Sequence, residues 1–317
     1  MSIQKSLRLS LVLMACLPLI FLTIFTYNLS YKKYMDLATQ STVELAKNYG
    51  MGFQSQLNSQ IAEVEGLANG TNIQNLVLEN YNGVTLGNDS PYYTNVTDLF
   101  ATASDYAGNN VNYYLYDVNG YYITSSDNTN TDDWQEHMAI PVEDITETKI
   151  LQCSPLDEIE SIDVVSPIII KSQIVGLIRA NITSRYFGSF IPEDGSAFIM
   201  TNDGGYLFTS TGLTGQRELE TQAFNCLNGA DNAKDYGHLK ASSFKNIYGF
   251  CKLSDSNWLY LIKQQGTQYQ QILATLPITM SITLIIILMI AIWVSRILSA
   301  KYTEPIFTLR DNMTDAS

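Results

Sequence analysis

The uncharged run from Leu276 to Val294, LPITMSITLIIILMIAIWV, constrains this chain more than any other stretch. At about 1.5 Å per helical residue, a run of this length crosses a hydrocarbon core of about 30 Å, so it predicts a transmembrane helix. Trp293 lies at one end, where an indole side chain prefers the headgroup region. Arg296 and Lys301 follow directly and indicate that this end faces the cytoplasm.

A second apolar segment runs from Leu9 to Leu29, after Lys5 and Arg8. Interrupted only by Pro18, it is too long for the apolar part of a cleaved signal peptide, which has about 7 to 15 residues. The tetrad that ends at Cys16 faintly resembles a lipoprotein cleavage site, although the apolar run continues well past it. We interpret the segment as an uncleaved membrane anchor, with the lipoprotein as the open alternative.

Two spans with both termini in the cytoplasm predict a two-pass protein of the cell membrane, with residues from about 30 to 271 outside. Acidic residues outnumber basic ones by 31 to 18, and most of them lie between the two spans. Lys32 and Lys33 depart from the positive-inside pattern, but the basic flank after the second span outweighs them. An acidic outer domain disfavours nucleic acids and other polyanions as partners.

Three cysteines, Cys153, Cys226 and Cys251, lie in the predicted outer part. An odd number without regular spacing does not indicate a disulfide framework. A bridge between Cys226 and Cys251 stays open, and three buried thiols are the favoured interpretation.

A long helix is predicted over residues 30 to 68, because this stretch lacks proline and its apolar residues recur in steps of three and four. The glycines Gly66 and Gly70 end it. Its apolar positions are Leu45, Tyr49, Phe53, Leu57, Ile61, Val64 and Ala68. Such a length exceeds that of a typical globular helix, so we expect it to run along the whole outer domain.

The apolar pattern then changes to alternation, which predicts strands. Two tyrosine-containing and β-branched runs surround Asn119 and Gly120, a strong signal for a hairpin between 112 and 126. The same hairpin pattern recurs 84 residues later, between 198 and 210, so that Gly120 matches Gly204 and Tyr122 matches Tyr206. Each hairpin is followed by a further strand pair: Ile162 to Ile170 with Ile174 to Ile182, and Ile247 to Leu253 with Trp258 to Ile262. The pattern predicts one sheet-building unit used twice.

This order of elements, with the segments DVNGYYI, NDGGYLF and SDSNWLYLI, resembles the double Cache family of bacterial receptors. The segment that follows the second span resembles the first helix of a HAMP relay, with Pro305, Ile306 and Leu309 in the relay. The resemblance implies an α+β fold with two tandem PAS-like (Cache) subdomains on a long N-terminal helix, flanked by two transmembrane helices. The implied parts are a cytoplasmic N-terminus (1–8), a transmembrane helix (9–29), a stalk helix (30–70), a membrane-distal ligand-binding subdomain (71–190), a membrane-proximal subdomain (191–270), a second transmembrane helix (272–295) and the start of a HAMP relay (296–317).

The resemblance also implies a function. It predicts a homodimer that senses an extracytoplasmic small molecule and forms the input half of a histidine kinase, a diguanylate cyclase or a chemoreceptor. No enzyme activity is expected within the chain, since GxSxG, HExxH and GxxxxGK motifs are absent from the sequence. A membrane-tethered scaffold or adhesion module without a ligand is the alternative, and an ectoenzyme ranks third.

Family members that bind amino acids carry an Arg-x-Trp-Tyr signature and a late aspartate. Here Trp134 matches the tryptophan, but Asp132 and Gln135 stand at the arginine and tyrosine positions, and Asn181 stands at the aspartate. An acid in place of a carboxylate-binding arginine reverses the local charge, so we expect a ligand other than a simple α-amino acid. The expected ligand-binding residues are Tyr114, Tyr116, Tyr122, Asp132, Trp134, Gln135, Asp157 and Asn181.

No cofactor or metal is expected. His137 and His238 have no partner at metal-ligand spacing, and the run from Asp127 to Asp133 lacks the glycine and the distant glutamate of a calcium loop. The acidic cluster that includes Asp157 and Asp163 is interpreted as a solvent-facing edge, with a mouth that selects cationic or polar ligands as the alternative.

Overall fold

The fold is described from a computed structural model of the chain. Its described residues are 3–83, 89–127, 144–152, 161–191, 196–202, 204–207, 217–228, 235–240, 245–298 and 301. The chain divides into two compact units. The larger unit comprises Thr42–Ala241 and Tyr248–Gln264, and the smaller unit comprises Met1–Ser41, Ser242–Ile247 and Gln265–Ser317.

The described residues form both helices and antiparallel sheets, so the predicted mixture of helix and sheet is confirmed. The helices are α1 (Ile3–Ala68), α2 (Thr71–Tyr81), α3 (Tyr93–Tyr106), α4 (Arg217–Asn228) and α5 (Thr267–Leu298), with a short 3-10 helix at Ser184–Phe187. The strands are β1 (Val111–Asp117), β2 (Tyr122–Ser125), β3 (Lys149–Gln152), β4 (Ser161–Ile170), β5 (Gln173–Thr183), β6 (Ala197–Met200), β7 (Tyr236–His238), β8 (Ile247–Leu253) and β9 (Trp258–Gln264).

In the larger unit, α1 supplies the apolar stripe on which the rest of the unit packs. The buried side chains of this stripe recur at steps of seven and four, which places them on one side of the helix. They are Ala46, Phe53, Leu57, Val64 and Ala68. The predicted helix over residues 30 to 68 is confirmed, and it ends at Ala68, just before Gly70.

The first sheet has the strand order β2-β1-β5-β4-β3, and its neighbouring strands are antiparallel. Its inner face packs in the same cluster as α1, through Tyr113 and Leu115 of β1 and Ile178 and Ala180 of β5. Helix α3 covers part of this face, with the Phe100 and Tyr113 rings stacked at 5.9 Å between centroids. Because strand residues alternate, Tyr114 and Arg179 project from the opposite, outer face.

The second sheet has the order β6-β9-β8-β7 and uses its two faces differently. Its inner face meets α1, where a Cβ added at Gly50 would lie 3.0 Å from the Cys251 Cβ. Its outer face is apolar and packs against α4. The buried residues of that outer cluster are Phe198, Met200, Leu219, Ala223, Leu227, Leu239, Tyr248, Phe250, Leu259 and Leu261.

The two predicted hairpins share their turn hydrogen bonds, which confirms the 84-residue repeat at these positions. The Gly120 amide donates to the Asp117 carbonyl, and the Gly204 amide donates to the Thr201 carbonyl, each at 3.0 Å. Both glycines have positive φ, +83° and +86°, which side-chain-bearing residues rarely adopt. After its turn the second hairpin has an isolated antiparallel bridge between Met200 and Tyr206, and residues 208 to 210 lie outside the described part.

Cys226 and Cys251 are both free thiols, so the bridge left open by the sequence is not formed. The reason is that they lie on opposite sides of the second sheet. Cys251 belongs to the cluster on the α1 side, whereas Cys226 on α4 packs against the outer cluster. Cys153 lies outside the described residues.

In the smaller unit, one helical stretch among the described residues is long and apolar enough to cross a membrane. It is Tyr269–Ile297 within α5, with a mean hydropathy of 2.5. Near its start, Leu273 packs with Ala38 of α1 and with Ile247. The predicted first span, residues 9–29, lies within α1, and its membrane crossing stays a prediction.

We expect Gly249→Ala to destabilise the larger unit. A Cβ at this position in β8 would lie 2.6 Å from the Thr42 carbonyl oxygen of α1, so strand and helix would have to separate. Overpacking of this kind costs about 1 to 3 kcal/mol. Thermal unfolding of the purified chain in detergent should show a Tm lower by roughly 3 to 8 °C.

Gly66→Ala is the matched control, because a Cβ at this α1 position meets nothing within 4 Å. Alanine stabilises a helix interior by up to about 1 kcal/mol relative to glycine, so this variant should be at least as stable as wild type. Equal losses in the two variants would contradict the close approach of β8 to α1.

Candidate functional site

The outer face of the first sheet brings polar and aromatic side chains together, and we call it the polar face. The register pairs Tyr114 with Ser125 on one side and with Arg179 on the other. It also pairs Asn181 with Asp163 across β5 and β4. Directly paired residues project to the same side of a sheet, so these side chains share one surface. The polar face consists of Tyr114, Tyr116, Tyr122, Ser125, Asp127, Ser161, Asp163, Arg179 and Asn181.

A buried ion pair lies at the centre of the polar face. The Arg179 Nε atom lies 2.8 Å from the Asp163 Oδ2 atom, and the two side chains are only 11% and 8% exposed. Asn181 Nδ2 donates a hydrogen bond to Asp163 Oδ1 at 2.9 Å and another to Ser161 Oγ at 3.1 Å. Both oxygens of the Asp163 carboxylate are therefore engaged from β5.

Tyrosine rings surround the guanidinium. The Arg179 guanidinium carbon lies 5.3 Å from the centroid of the Tyr114 ring, within the range of a cation–π contact. Burial alone would lower the pKa of Arg179, but the Asp163 carboxylate and the Tyr116 phenol outweigh it and raise the pKa. Tyr116 in turn meets Tyr122 edge to face at 6.3 Å between centroids. Arg179 is thus a fixed, permanently charged group on an aromatic surface.

At the β2 edge of the polar face, hydroxyl groups converge on Asp127. Ser125 Oγ donates to Asp127 Oδ1 at 2.8 Å, and the Tyr114 hydroxyl makes a longer bond of 3.4 Å to Asp127 Oδ2. The Tyr122 hydroxyl lies 2.8 Å from Ser125 Oγ. Burial, and secondly the Asp127 carboxylate, raise the pKa of Tyr114, so its phenol remains a neutral donor at physiological pH.

The structure brings together all the predicted ligand-binding residues that it describes. Tyr114, Tyr116, Tyr122 and Asn181 lie on the polar face. Their role in binding stays a prediction. The remaining predicted residues lie outside the described part of the chain: Asp132, Trp134, Gln135 and Asp157 of the ligand set, and Pro305, Ile306 and Leu309 of the relay. The described residues contain no group of three or more potential metal-ligating side chains.

Sequence reasoning missed the ion pair. The interpretation of Asp163 as part of a solvent-facing edge is wrong, because Asp163 is buried. Arg179 was not singled out, although it is the one charged residue in β5 and stands two positions before Asn181. A charge in a strand buried on both faces needs a partner, and this signal could have pointed to an acidic residue nearby.

The second sheet shows that the fold does not require this ion pair. Phe198 occupies the position that matches Tyr114 in the repeat, and it pairs with Leu261 as Tyr114 pairs with Arg179. Both Phe198 and Leu261 are buried in the apolar cluster with α4. The same architecture is thus completed with apolar residues in one sheet and with a buried charge pair in the other.

Comparisons with known proteins define the fold. No protein-family model matches the sequence, and no curated protein matches it. The chain is similar to the extracellular domain of the candidate histidine kinase vpHK1S-Z8, with a TM-score of 0.51 and 10% identity over 76% of this chain and 95% of that one. The described part of this chain therefore shares the mixed fold of helices and antiparallel sheets of that extracellular domain.

Two further solved structures have lower scores. One is the sensor domain of the V. cholerae histidine kinase DctB, with a TM-score of 0.46 and 11% identity over 74% of this chain and 98% of that one. The other is the ligand-binding domain of the Pseudomonas aeruginosa amino-acid chemoreceptor PctC in complex with GABA, with a TM-score of 0.45 and 15% identity over 72% and 99%.

We expect Arg179→Met to destabilise the chain, because it leaves the Asp163 carboxylate buried without its countercharge. Removing one partner of a buried ion pair costs about 3 to 5 kcal/mol, which corresponds to a fall in Tm of roughly 10 °C or more for a domain of this size. The double variant Arg179→Met/Asp163→Leu should recover much of the loss, as the apolar second sheet suggests. Thermal unfolding by circular dichroism measures both, and a wild-type Tm for the single variant would contradict the buried pair.

Proposed function

We propose that this chain is the input part of a two-pass membrane receptor, in which the polar face of the first sheet binds a small molecule outside the cell. Extracellular sensing agrees with the fold, which matches an extracellular domain of a candidate histidine kinase. The observation that carries the proposal is the buried pair of Arg179 and Asp163, at positions whose counterparts in the second sheet include an apolar leucine.

A buried charge pair favours a functional interpretation because of its cost. Taking two charges out of water is expensive, and well-packed apolar residues often give equal or greater stability. The second sheet meets the same packing need without charges. Departures of this kind from efficient packing concentrate at functional sites.

The composition of the polar face suits a small organic ligand. Sites for small molecules combine apolar and aromatic walls with a few polar groups that fix orientation. Here the three tyrosines and the apolar residues Val165 and Leu177 supply the walls. Asn181, Arg179 and the hydroxyl groups near Asp127 supply the polar contacts.

The proposed ligand is not a simple α-amino acid. Asp132 stands where the family's amino-acid receptors carry the arginine that holds the carboxylate. Arg179 carries a guanidinium group on the polar face, and its Nε atom lies 2.8 Å from the Asp163 carboxylate. Neither position offers a free cation to an amino-acid carboxylate.

The proposed membrane topology has both termini in the cytoplasm. Tyr269–Ile297 of α5 is the second span. Leu17, Phe21 and Phe25 of α1 are 57% to 73% exposed, which suits a lipid-facing first span. Residues from about 30 to 271 would then lie outside, with 71–190 as the membrane-distal and 191–270 as the membrane-proximal subdomain.

The proposed signal passes through the helices that enter the membrane. In the smaller unit, Ala38 of α1 and Leu273 of α5 pack in one buried cluster with Ile247. A displacement of one helix would therefore change the packing of the other. A ligand can bias such a contact only by binding two arrangements of the protein with different affinity.

The receptor would act as a homodimer and pass the signal to a HAMP-like relay through Pro305, Ile306 and Leu309. A histidine kinase, a diguanylate cyclase and a chemoreceptor are the candidate outputs.

A thermal-shift screen of the purified full-length chain against small metabolites tests the proposal. We expect at least one uncharged or cationic compound to raise the Tm, because a ligand that binds only the folded state stabilises it. A scaffold or adhesion module would show no stabilisation by any compound.

Tyr122→Ala and Tyr206→Ala form a matched pair for locating the site, since the two tyrosines occupy repeated positions in the two hairpins. Tyr122→Ala should weaken binding of the selected compound by about tenfold or more, through loss of an aromatic wall. Tyr206→Ala should leave it within about twofold. Equal effects, or an effect confined to Tyr206→Ala, would exclude the polar face as the site.

A further inference from the structure

We propose that Asp163 determines the ligand class of the polar face by occupying Arg179, so that the site excludes carboxylates and admits small polar molecules without an anionic group. The inference rests on the proposed function, because it presupposes that this face binds a ligand. It goes further by assigning the exclusion to one side chain.

The geometry shows how Asp163 occupies the guanidinium. A free arginine binds a ligand carboxylate through two parallel N–H···O bonds from its planar fork. Here Arg179 Nε already lies 2.8 Å from Asp163 Oδ2. The Tyr114 ring lies against the guanidinium at 5.3 Å, and Tyr116 interacts with it as well. The Arg179 guanidinium therefore has a countercharge, a stacking partner and a fixed orientation before any ligand binds.

The hydrogen bonds of Asp163 hold it in this role. Asn181 donates to Oδ1 of Asp163, which leaves Oδ2 directed at Arg179. Asn181 itself is aligned by Ser161, to which it donates its other bond at 3.1 Å. The carboxylate is thus fixed from two sides, and a second carboxylate at Arg179 would meet its negative charge at close range.

The other charges near the polar face do not offer a better anion site. Asp127 at the β2 edge is acidic and would repel a carboxylate. Lys149 is placed on this side by its pairing with Val165, but its ammonium donates to the Asp144 carbonyl at 2.9 Å. Among the described residues, Arg179 is therefore the group on which anion binding would depend.

Asp163→Asn should release Arg179. The asparagine keeps the shape of the side chain, and its carbonyl oxygen can still accept the bond from Asn181. Its amide nitrogen then faces the guanidinium, which places donor against donor. Arg179 loses its countercharge and becomes available to a ligand carboxylate. The polar face should change from excluding carboxylates to binding them.

Acetate and acetamide are the probes, because they have nearly the same shape and differ in charge. Binding to the full-length chain in detergent is measured by calorimetry at constant ionic strength, with chloride as the compensating anion. The wild type should bind acetate no better than acetamide. Asp163→Asn should bind acetate about tenfold or more tightly than the wild type does, with acetamide changed by less than about twofold.

Glu147→Gln is the matched control. It makes the same change in net charge at an exposed side chain outside the polar face and leaves the contact between Arg179 and Asp163 in place. It should gain less than about twofold in acetate binding. An equal gain in both variants would overturn the proposal, because the change in net charge would then explain the gain in acetate binding without any release of Arg179. Acetate binding by the wild type at the level of Asp163→Asn would overturn it too.

A second measurement reports on the ion pair without any ligand. Phenylglyoxal modifies accessible guanidinium groups, and mass spectrometry locates the modified residue. Arg179 should react several-fold faster in Asp163→Asn than in the wild type. An unchanged rate, or a released Arg179 that gains no acetate binding, would overturn the proposal. Asp163→Ser, which removes the charge and leaves space for acetate, replaces Asp163→Asn if the latter does not fold.

Failure of the proposed function has a different signature. If no metabolite stabilises the wild type, while Asp163→Asn releases Arg179 and gains acetate binding, the receptor proposal falls. The control of anion binding by Asp163 is then supported on its own.

Discussion

The packing of both sheets onto α1 is the constraint on which the larger unit depends. Phe53 and Val64 of α1 share one buried cluster with Tyr113 of the first sheet and Tyr260 of the second. The inner face of each sheet packs in this cluster, so the outer face of each sheet does not contact α1. The outer face of the second sheet is closed by apolar contacts with α4, and that of the first carries buried polar groups. The two outer faces thus differ in chemistry, one being apolar and the other carrying a buried ion pair.

The outer faces of the two sheets carry different residues at matching positions. Repeated positions hold Tyr114 and Phe198, and their strand partners are Arg179 and Leu261. The apolar pair needs no further explanation, because it buries surface that would otherwise face water. The polar pair needs partners for its buried groups, and Asp163, which accepts a hydrogen bond from Asn181, supplies the countercharge to Arg179. We propose that a ligand accounts for this polar arrangement, which the second sheet lacks.

Local patterns predicted the elements, whereas the ion pair depended on a detail of register. The long helix and the hairpins follow from spacing within single segments, and alternation from Tyr114 to Tyr116 places both rings on one face. Direct pairing outward from the turn between β4 and β5 would have set Asp163 opposite Ala180, on the apolar face. An irregularity between Ile168 and Ile169 shifts the register by one residue and turns Asp163 toward Arg179. Pairing outward from the predicted strand ends, Ile170 and Ile174, gives this same register, although no local sequence signal indicates the irregularity itself.

Hydrogen exchange measured by mass spectrometry, with and without the compound that most stabilises the chain, tests the central claim that the polar face is the sensing site. The account predicts slower exchange on binding in β1, β2 and β5, over residues 111–125 and 173–183, and unchanged exchange in β6 and β9, over residues 197–200 and 258–264. Slower exchange confined to the second sheet, or no change in the first, would contradict it.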